Sequence, residues 1–213
     1  MRIAIVAGGP ENLIPDLSDP LYRDCQWASA DRGTFVLLKQ GIKPAIAFGD
    51  FDSVSATEYA AIQKESIHCV TYPREKDKTD LELAVDWALE KNPEELIIFG
   101  ATGGRADHGL ASVYLLLKAS GTKTKMRLLD QKNSIRLLIP GIYQLERDPL
   151  YHYLSFLALS DRVTGITLRG VKYPLTDAKL VIGSSLCISN EAERDSFSVS
   201  LKTGLLLMMR CSD

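Results

Sequence analysis

The sequence predicts an α/β N-terminal domain with a mostly parallel, doubly wound sheet, followed by an all-β C-terminal sandwich. Two observations support this fold class. Over roughly the first 130 residues, short apolar runs alternate with helical patterns, which is typical of parallel strands buried on both faces. Beyond Asp130 the chain contains no convincing amphipathic helix, and polar and apolar residues alternate in short segments. We therefore expect two domains, residues 1–130 and residues 131–213.

Four compact apolar runs predict the parallel strands of the first domain. They cover residues 3–7, 45–48, 96–99 and 125–129. The first three runs are each followed directly by a glycine. Functional groups in open α/β sheets lie beyond the carboxyl ends of the strands, so these ends are where we expect a site.

Two helices are predicted in the same domain. The first begins at Thr79, which has capping-box spacing to Glu82, and it ends before Pro93. The second covers residues 107–118 and ends before Gly121. In each helix the apolar residues fall on one face, the pattern of an amphipathic helix. These residues are Leu81, Val85, Ala88 and Leu89 in the first helix, and Leu110, Val113, Tyr114 and Leu117 in the second.

The second domain shows the alternation of antiparallel strands. Residues 134–139 and 142–145 flank Pro140 and Gly141, which predicts two strands joined by a two-residue hairpin turn. Residues 196–201 alternate polar and apolar side chains without a break, and a turn then leads into a last apolar run at residues 205–209. These segments predict a small antiparallel sandwich or barrel.

Composition and charge exclude several classes of protein. The 213 residues are 46% hydrophobic and 24% charged, which excludes a disordered or collagen-like chain. The net charge of −2 argues against a general nucleic-acid-binding surface. The longest segment without a charged residue, residues 149–160, is shorter than the roughly 20 residues that cross a bilayer. The four cysteines form no CxxC pair, so we expect a cytoplasmic protein with reduced thiols.

Two acids follow the second apolar run, in the segment Gly49-Asp50-Phe51-Asp52-Ser53. In extended backbone Asp50 and Asp52 point the same way, and a divalent cation relieves the repulsion between two neighbouring carboxylates. The alternative is a turn whose acids face solvent. The position at a strand end, between Gly49 and Ser53, favours a metal site.

Charged residues of both signs also gather at the start of the first helix. Asp80 lies in the first turn, where a carboxylate stabilises the positive end of the helix dipole. A simple cap explains Asp80 alone, but Lys76, Asp77 and Lys78 beside it suit a complex of metal and phosphate better.

A glycine-rich segment, residues 100–108, follows the third run and opens the second helix. Its backbone N–H groups can cradle phosphate, and Arg105 adds a planar donor fork suited to phosphate oxygens. His108 is as well explained by a hydrogen bond to a neighbouring acid. Two weaker candidates are Asp31, at another strand end or helix start, and Ser189-Asn190, in a segment that also reads as a turn between strands.

Four segments resemble the thiamine pyrophosphokinase family in order and spacing over essentially the whole chain. They are GDFDS at 49–53, DKTD at 77–80, GATGGRADH at 100–108 and ISNE at 188–191. The resemblance implies transfer of the pyrophosphoryl group of ATP to the hydroxyethyl oxygen of thiamine, giving thiamine diphosphate and AMP. It also implies a homodimer in which each active site combines one subunit's α/β domain with its partner's β domain.

The resemblance further implies residue roles. Asp50, Asp52 and Asp80 would surround Mg²⁺ and the polyphosphate, and Arg105 would lie by the phosphates. Apart from the resemblance, the reaction needs an acceptor for the thiamine hydroxyl proton, and Asp80 and Asp107 are the two candidates. Further residues are expected on the ATP side, namely Asp31, Lys76, Asp77, Thr79, Thr102, Gly103 and Gly104. Ser189 and Asn190 are expected near thiamine.

The chain departs from the family pattern at Arg32, where the family commonly has glycine in an Asp-Gly-Gly turn. A bulky, charged side chain there is expected to change the local shape near Asp31. Two other functions remain open from the residues alone. One is a catalytically silent relative that binds thiamine or nucleotide, and the other is a nucleotide-sugar transferase whose DxD segment holds a metal on a diphosphate.

Overall fold

The computed structural model describes residues 1–51, 55–65, 68–70 and 77–213, and the chain divides into two units, Met1–Gln131 and Lys132–Asp213. The predicted site residues Asp52 and Lys76 lie outside the described residues. The predicted fold class is confirmed, because a parallel α/β sheet in the first unit is followed by two antiparallel sheets in the second.

Within its described ranges, the first unit contains six strands and four α-helices. The strands are β1 (Arg2–Val6), β2 (Cys25–Ala30), β3 (Ile46–Phe48), β4 (Cys69–Val70), β5 (Glu95–Phe99) and β6 (Lys125–Leu129). The helices are α1 (Gly33–Lys39), α2 (Ala56–Lys64), α3 (Asp80–Glu90) and α4 (Ala106–Leu115). Short 3₁₀ turns cover Glu11–Leu13, Pro20–Tyr22 and Leu116–Ala119.

The strands of this unit lie in the order β6-β5-β1-β2-β3-β4, and every neighbouring pair is parallel. Residues 3–6 of β1 and 96–99 of β5 are wholly buried, as the continuous apolar runs predict. Right-handed crossovers place α1 and α2 on one face of the sheet and α3 and α4 on the other. From β1 the chain builds the sheet in both directions, so a crevice opens beyond the carboxyl ends of β1 and β5.

The predicted start of α3 is confirmed. The Thr79 hydroxyl accepts a hydrogen bond from the backbone N–H of Glu82 at 3.2 Å. The Glu82 side chain makes an ion pair with Lys118 at 2.9 Å rather than closing a capping box. A complete capping box is found at α2 instead, between Ser55 and Glu58.

The apolar residues predicted on one face of the second helix are largely exposed, so this face is not the one that packs against the core. Leu110 and Tyr114 are 55% and 50% exposed, whereas Ser112 and Leu115 are buried. The Ser112 hydroxyl donates a hydrogen bond to the carbonyl of His108 at 2.7 Å, so its polar group is satisfied within the helix and can face the core. The pattern of polar and apolar residues therefore does not show which side of α4 packs against the core.

The second unit consists of two antiparallel sheets. One has the strand order β12-β9-β14-β7 and the other β11-β10-β13-β8. Side chains from both sheets form one core that includes Phe156, Val163, Val199 and Met208. The strands are β7 (Asn133–Leu138), β8 (Gly141–Glu146), β9 (Tyr153–Ala158), β10 (Arg162–Arg169), β11 (Leu175–Val181), β12 (Asn190–Glu191), β13 (Ser196–Leu201) and β14 (Leu206–Cys211).

The two strands predicted around Pro140 and Gly141 are present, but the hairpin is wrong. β7 pairs with β14 and β8 pairs with β13, so the chain passes from one sheet to the other at this point. The Tyr143 hydroxyl donates to the carbonyl of Ile139 at 2.8 Å and accepts from its N–H at 3.1 Å, which holds the corner. Proline and glycine fix a bend, but they do not choose the strand that pairs beyond it.

Among the residues that the structure describes, no helix has both the length and the apolar character needed to cross a membrane.

A substitution at Gly33 tests whether the start of α1 must approach β1 closely. A Cβ atom at Gly33 would lie 2.0 Å from the carbonyl oxygen of Val6. We expect Gly33→Ala to destabilise the fold by at least about 2 kcal/mol, because the backbone must move to accept the methyl group. For a chain of this size that lowers the melting temperature by at least roughly 5 °C.

Gly121→Ala is the matched control, because a Cβ at Gly121 meets nothing within 4 Å. Its melting temperature should stay within a few degrees of the parent value. Equal melting temperatures for the two variants would show that the approach of α1 to β1 tolerates a methyl group.

Candidate active site

A cleft of about 750 Å³ lies in the first unit, beyond the carboxyl ends of its central strands. Small-molecule sites typically occupy about 300–1,000 Å³. The cleft draws its lining from the loops after β1, β2, β3 and β5 and from the start of α3. Eight of the predicted site residues line it: Asp31, Asp50, Asp77, Thr79, Asp80, Thr102, Gly104 and Arg105.

The loops after β2 and β3 lie against each other. The Asp31 backbone N–H donates to the carbonyl of Phe48 at 2.8 Å, and Asp31 adopts a left-handed conformation with φ of 49°. A Cβ at Gly49 would lie 2.4 Å from Oδ1 of Asp31. Glycine at position 49 therefore lets the Asp31 carboxylate pack against the backbone that leads to Asp50.

The backbone after Asp50 is not extended, which corrects the sequence argument for Asp50 and Asp52. Phe51 has φ of 58° and is buried in a cluster with Ala47 and Ile62. Alternation along an extended strand therefore does not describe this turn. Asp50 nevertheless lines the cleft.

Arg32 does not strain the turn in which the resemblance led us to expect glycine. Its backbone is right-handed helical, with φ of −59° and ψ of −20°. The residue that requires glycine here is Gly33, which approaches β1 closely. The Arg32 side chain lines the cleft and makes ion pairs with Glu11 at 2.8 Å and Glu58 at 3.1 Å.

The start of α3 presents Asp77, Thr79 and Asp80 to the cleft. Asp80 is the first residue of the helix, where backbone N–H groups favour negative charge. Lys78 also lines the cleft, and its ammonium group pairs with Asp86 at 2.8 Å. Burial raises the pKa of Asp86, but hydrogen bonds from Lys118 and Lys78 outweigh it, so the net pKa is lowered.

The glycine-rich loop follows β5 and lines the same cleft as these acids. The Gly9 N–H donates to the carbonyl of Gly100 at 2.8 Å, which joins this loop to the one after β1. The Thr102 hydroxyl donates to the carboxylate of Asp130, which is only 2% exposed. Gly103 is not among the lining residues; it has φ of 77° and packs against Leu13.

Arg105 and Asp107 form a two-point pair at the start of α4. Arg105 donates from Nε at 3.1 Å and from Nη2 at 2.6 Å, and the His108 N–H donates to the same carboxylate at 2.9 Å. The Arg105 hydrogen bonds, followed by the one from the His108 backbone, lower the pKa of Asp107 to about 2. Asp107 is not among the cleft-lining residues, whereas Arg105 and His108 are.

Ser189 and Asn190 belong to the second unit. The Asn190 side chain is buried, and its Oδ1 accepts from the backbone N–H groups of Tyr173 at 3.0 Å and Glu191 at 2.9 Å. Its Nδ2 donates to the carbonyl of Tyr173 at 2.9 Å. Ser189 is exposed, and its backbone N–H donates to the Ser155 hydroxyl at 3.1 Å. The Asn190 amide thus fixes the turn that exposes Ser189.

The donor chemistry of the cleft fits a magnesium ion that arrives with a polyphosphate. Within the described ranges, no three acidic, histidine or cysteine side chains form a ready-made metal cluster. Four aspartates nevertheless line the same space. Mg²⁺ keeps several waters and takes one or two carboxylates together with substrate phosphates, so a complete protein cage is not required.

Some positions in or next to the cleft were not predicted from the sequence. Gly8 and Gly9 line the cleft, and their position directly after the first apolar run was the signal that could have identified them. Asp130 accepts a hydrogen bond from the cleft-lining Thr102, and its position directly after the fourth apolar run was the signal that could have identified it.

Comparison with known proteins covers both units. Residues 21–128 match the thiamin pyrophosphokinase catalytic domain family, and residues 142–206 match the thiamin pyrophosphokinase vitamin B1 binding domain family. The chain is 47% identical over 211 residues to the thiamine pyrophosphokinase of Bacillus subtilis, covering 99% of both proteins.

Solved structures agree with this match. The crystal structure of thiamine pyrophosphokinase from Bacillus subtilis superposes with a TM-score of 0.95 at 46% identity, over all of both chains. That of thiamin pyrophosphokinase from Geobacillus thermodenitrificans gives 0.92 at 42% identity, over 100% of this chain and 98% of the other. The chain therefore belongs to the thiamine pyrophosphokinase family.

Proposed function

We propose that this chain is an active enzyme that transfers the pyrophosphoryl group of ATP to the hydroxyethyl oxygen of thiamine, giving thiamine diphosphate and AMP. The observation that carries the proposal is the cleft, where Asp50 and Asp80 share one space with the glycine-rich loop and Arg105. The acids suit a metal, and the backbone amides and guanidinium suit phosphate. Retention of this set argues against a catalytically silent relative.

The metal-binding residues are Asp50 and Asp80, together with Asp52. When Mg²⁺ is bound there with ATP, it neutralises charge that develops on the phosphate oxygens. The neighbouring carboxylates of Asp31 and Asp77 make the cleft acidic, which also attracts the permanent positive charge of the thiazolium ring. Thr79, the N-cap of α3, and Lys76 are the other residues that we assign to ATP.

The donors of the cleft align the phosphate chain. The backbone of Thr102 and Gly104 runs along the nucleotide, with Gly103 setting the curvature of the loop through its left-handed conformation. Arg105 neutralises the transferred group, and Asp107 positions Arg105 by gripping its guanidinium at two points. Attack on the β-phosphorus then depends mainly on alignment and charge neutralisation.

Asp80 is the better candidate for accepting the thiamine hydroxyl proton. Asp107 is a weak base near neutral pH, because hydrogen bonds from Arg105 and His108 lower its pKa to about 2. It also does not line the cleft. A loose transition state demands little base strength, so a single aspartate is sufficient for this step.

The thiamine side belongs to the second unit, at Ser189 and Asn190. The exposed Ser189 hydroxyl can meet a polar group of thiamine, and the buried Asn190 amide holds the turn in place. We further propose that the enzyme works as a homodimer. The cytoplasm, where ATP and magnesium are abundant and the four free thiols stay reduced, is its expected compartment.

Asp50→Asn tests the activity and the metal site together. The amide keeps the shape of the side chain but loses its charge, so we expect turnover to fall by at least about 100-fold with little change in melting temperature. The measurement is the formation of thiamine diphosphate and AMP from thiamine, ATP and Mg²⁺, with both products quantified.

Asp24→Asn is the control for this test, because Asp24 lies just before β2, at the opposite edge of the sheet, and is exposed. It should retain parent turnover. Normal turnover in Asp50→Asn would remove Asp50 from the metal site, and nucleotide or thiamine binding by the parent chain without product would refute catalysis.

Asp107→Asn separates a positioning role from a proton acceptor. Since the carboxyl pKa is about 2, Asp107 stays ionised and paired with Arg105 throughout the range from about pH 5 to 9. We expect kcat/KM for ATP to fall about tenfold, less than in Arg105→Ala, with the shape of the rate profile between about pH 5 and 9 unchanged. Loss of a limb of the pH–rate profile in Asp107→Asn would instead identify Asp107 as the base.

A further inference from the structure

Arg32 links the loops after β1 and β2 to the first turn of α2. Its backbone belongs to the loop after β2, and its guanidinium reaches Glu11, in the loop after β1, and Glu58, in the first turn of α2. We propose that Arg32 is a positioning residue that holds the turn carrying Asp50 in its place beside Asp31. The proposal rests on the function assigned to Asp50 above.

The contact with Glu58 reaches the segment that follows Asp50. Nε of Arg32 donates to Oε1 of Glu58 at 3.1 Å. The other oxygen of the same carboxylate accepts from the backbone N–H of Ser55 at 2.8 Å, and the Ser55 hydroxyl accepts from the N–H of Glu58 at 3.3 Å. Arg32 therefore donates to the carboxylate of the capping box at the N-terminus of α2, the helix that follows the Asp50 segment.

The second contact of the Arg32 guanidinium is with Glu11, in the loop after β1. Nη2 of Arg32 lies 2.8 Å from Oε1 of Glu11, and Lys39 pairs with the second oxygen of Glu11 at 2.6 Å. Glu11 begins the 3₁₀ turn that follows Gly9 and Pro10, both of which line the cleft. A guanidinium has donors in a fixed planar fork, so two carboxylates on different elements define its position.

Direct phosphate binding is a poorer explanation of Arg32, although its side chain lines the cleft. Two of its nitrogens are already engaged by carboxylates, and the two cations Arg32 and Lys39 are balanced by Glu11 and Glu58. The Ser55 backbone N–H, and after it the Arg32 guanidinium, lower the pKa of Glu58, so its carboxylate stays charged near neutral pH. A phosphate would have to displace these partners.

A purely structural role is also less suitable. The Arg32 side chain is 37% exposed, and partly exposed ion pairs add little to global stability because water screens them. The two contacts restrict the position of the loops after β1 and β2 relative to the N-terminus of α2. The effect of removing them should therefore appear in the geometry of the Asp50 turn rather than in the melting temperature.

The test compares Arg32→Ala with Lys39→Ala. The control removes a cation from the same Glu11 but leaves both Arg32 contacts, so its kinetics should match the parent enzyme. For Arg32→Ala we expect kcat to fall about tenfold and the Mg²⁺ concentration for half-maximal rate to rise about threefold. Arg32→Lys should recover part of the loss, because a lysine can reach one carboxylate but not both in a fixed fork.

Amide hydrogen exchange of the ligand-free chain supplies a readout that does not depend on catalysis. Peptides covering residues 49–60 should exchange faster in Arg32→Ala and unchanged in Lys39→Ala. The double variant Arg32→Ala with Glu58→Gln should lose no more activity than the worse single variant, because both changes break one linkage.

Two results would overturn the inference. Unchanged exchange of residues 49–60 with a raised KM for ATP would make Arg32 a phosphate ligand, and additive losses in the double variant would separate it from Glu58. The assignment of Asp50 to the metal site is tested separately. If Asp50→Asn were fully active while exchange still rose in Arg32→Ala, Asp50 would not be a metal ligand. The positioning effect of the Arg32 contacts would remain supported.

Discussion

The pairing of β1 with β2 on one side and with β5 on the other is the constraint on which the site depends. The chain extends the sheet from β1 in both directions, so the loops beyond β1 and β5 diverge to opposite faces and leave a crevice between them. At its base the Gly9 N–H donates to the carbonyl of Gly100 at 2.8 Å, and a Cβ at Gly9 would lie 2.4 Å from that oxygen. Glycine is required because two backbones meet there.

The segments that line the cleft supply two kinds of group, carboxylates and hydrogen-bond donors. Carboxylates come from the loops after β2 and β3 and from the start of α3, whereas backbone amides and Arg105 come from the segment after β5. Repulsion among the acids favours a divalent cation, and the segment after β5 favours anionic oxygens. A magnesium-bound polyphosphate would satisfy both groups, and we therefore propose ATP rather than thiamine as the ligand of this unit.

The sequence was sufficient where a local pattern determines the structure. Continuous apolar runs identified β1, β3, β5 and β6, and the Thr79 cap identified the start of α3. The acids and the glycine-rich loop could be placed in one site because parallel strands all end at the same edge of a sheet. The carboxyl ends of parallel strands share one edge whatever the exact order of the strands in the sheet.

Local patterns failed where a distant or compensating contact decides the structure. Ser112 faces the core of its unit because its hydroxyl bonds within the helix, which polarity alone cannot indicate. The bend at Pro140 and Gly141 was visible, but the strands that pair on either side of it lie far along the chain. The contacts of Arg32 with Glu11 and Glu58 could not be predicted, because both partners are remote from it in sequence.

A crystal structure of the enzyme with Mn²⁺ and a non-hydrolysable ATP analogue tests the central claim most directly. The account predicts anomalous density for Mn²⁺ at the carboxylates of Asp50 and Asp80, with the phosphates along residues 100–104 and within reach of Arg105. Nucleotide and metal bound elsewhere, with Asp50 and Asp80 touching neither, would contradict it.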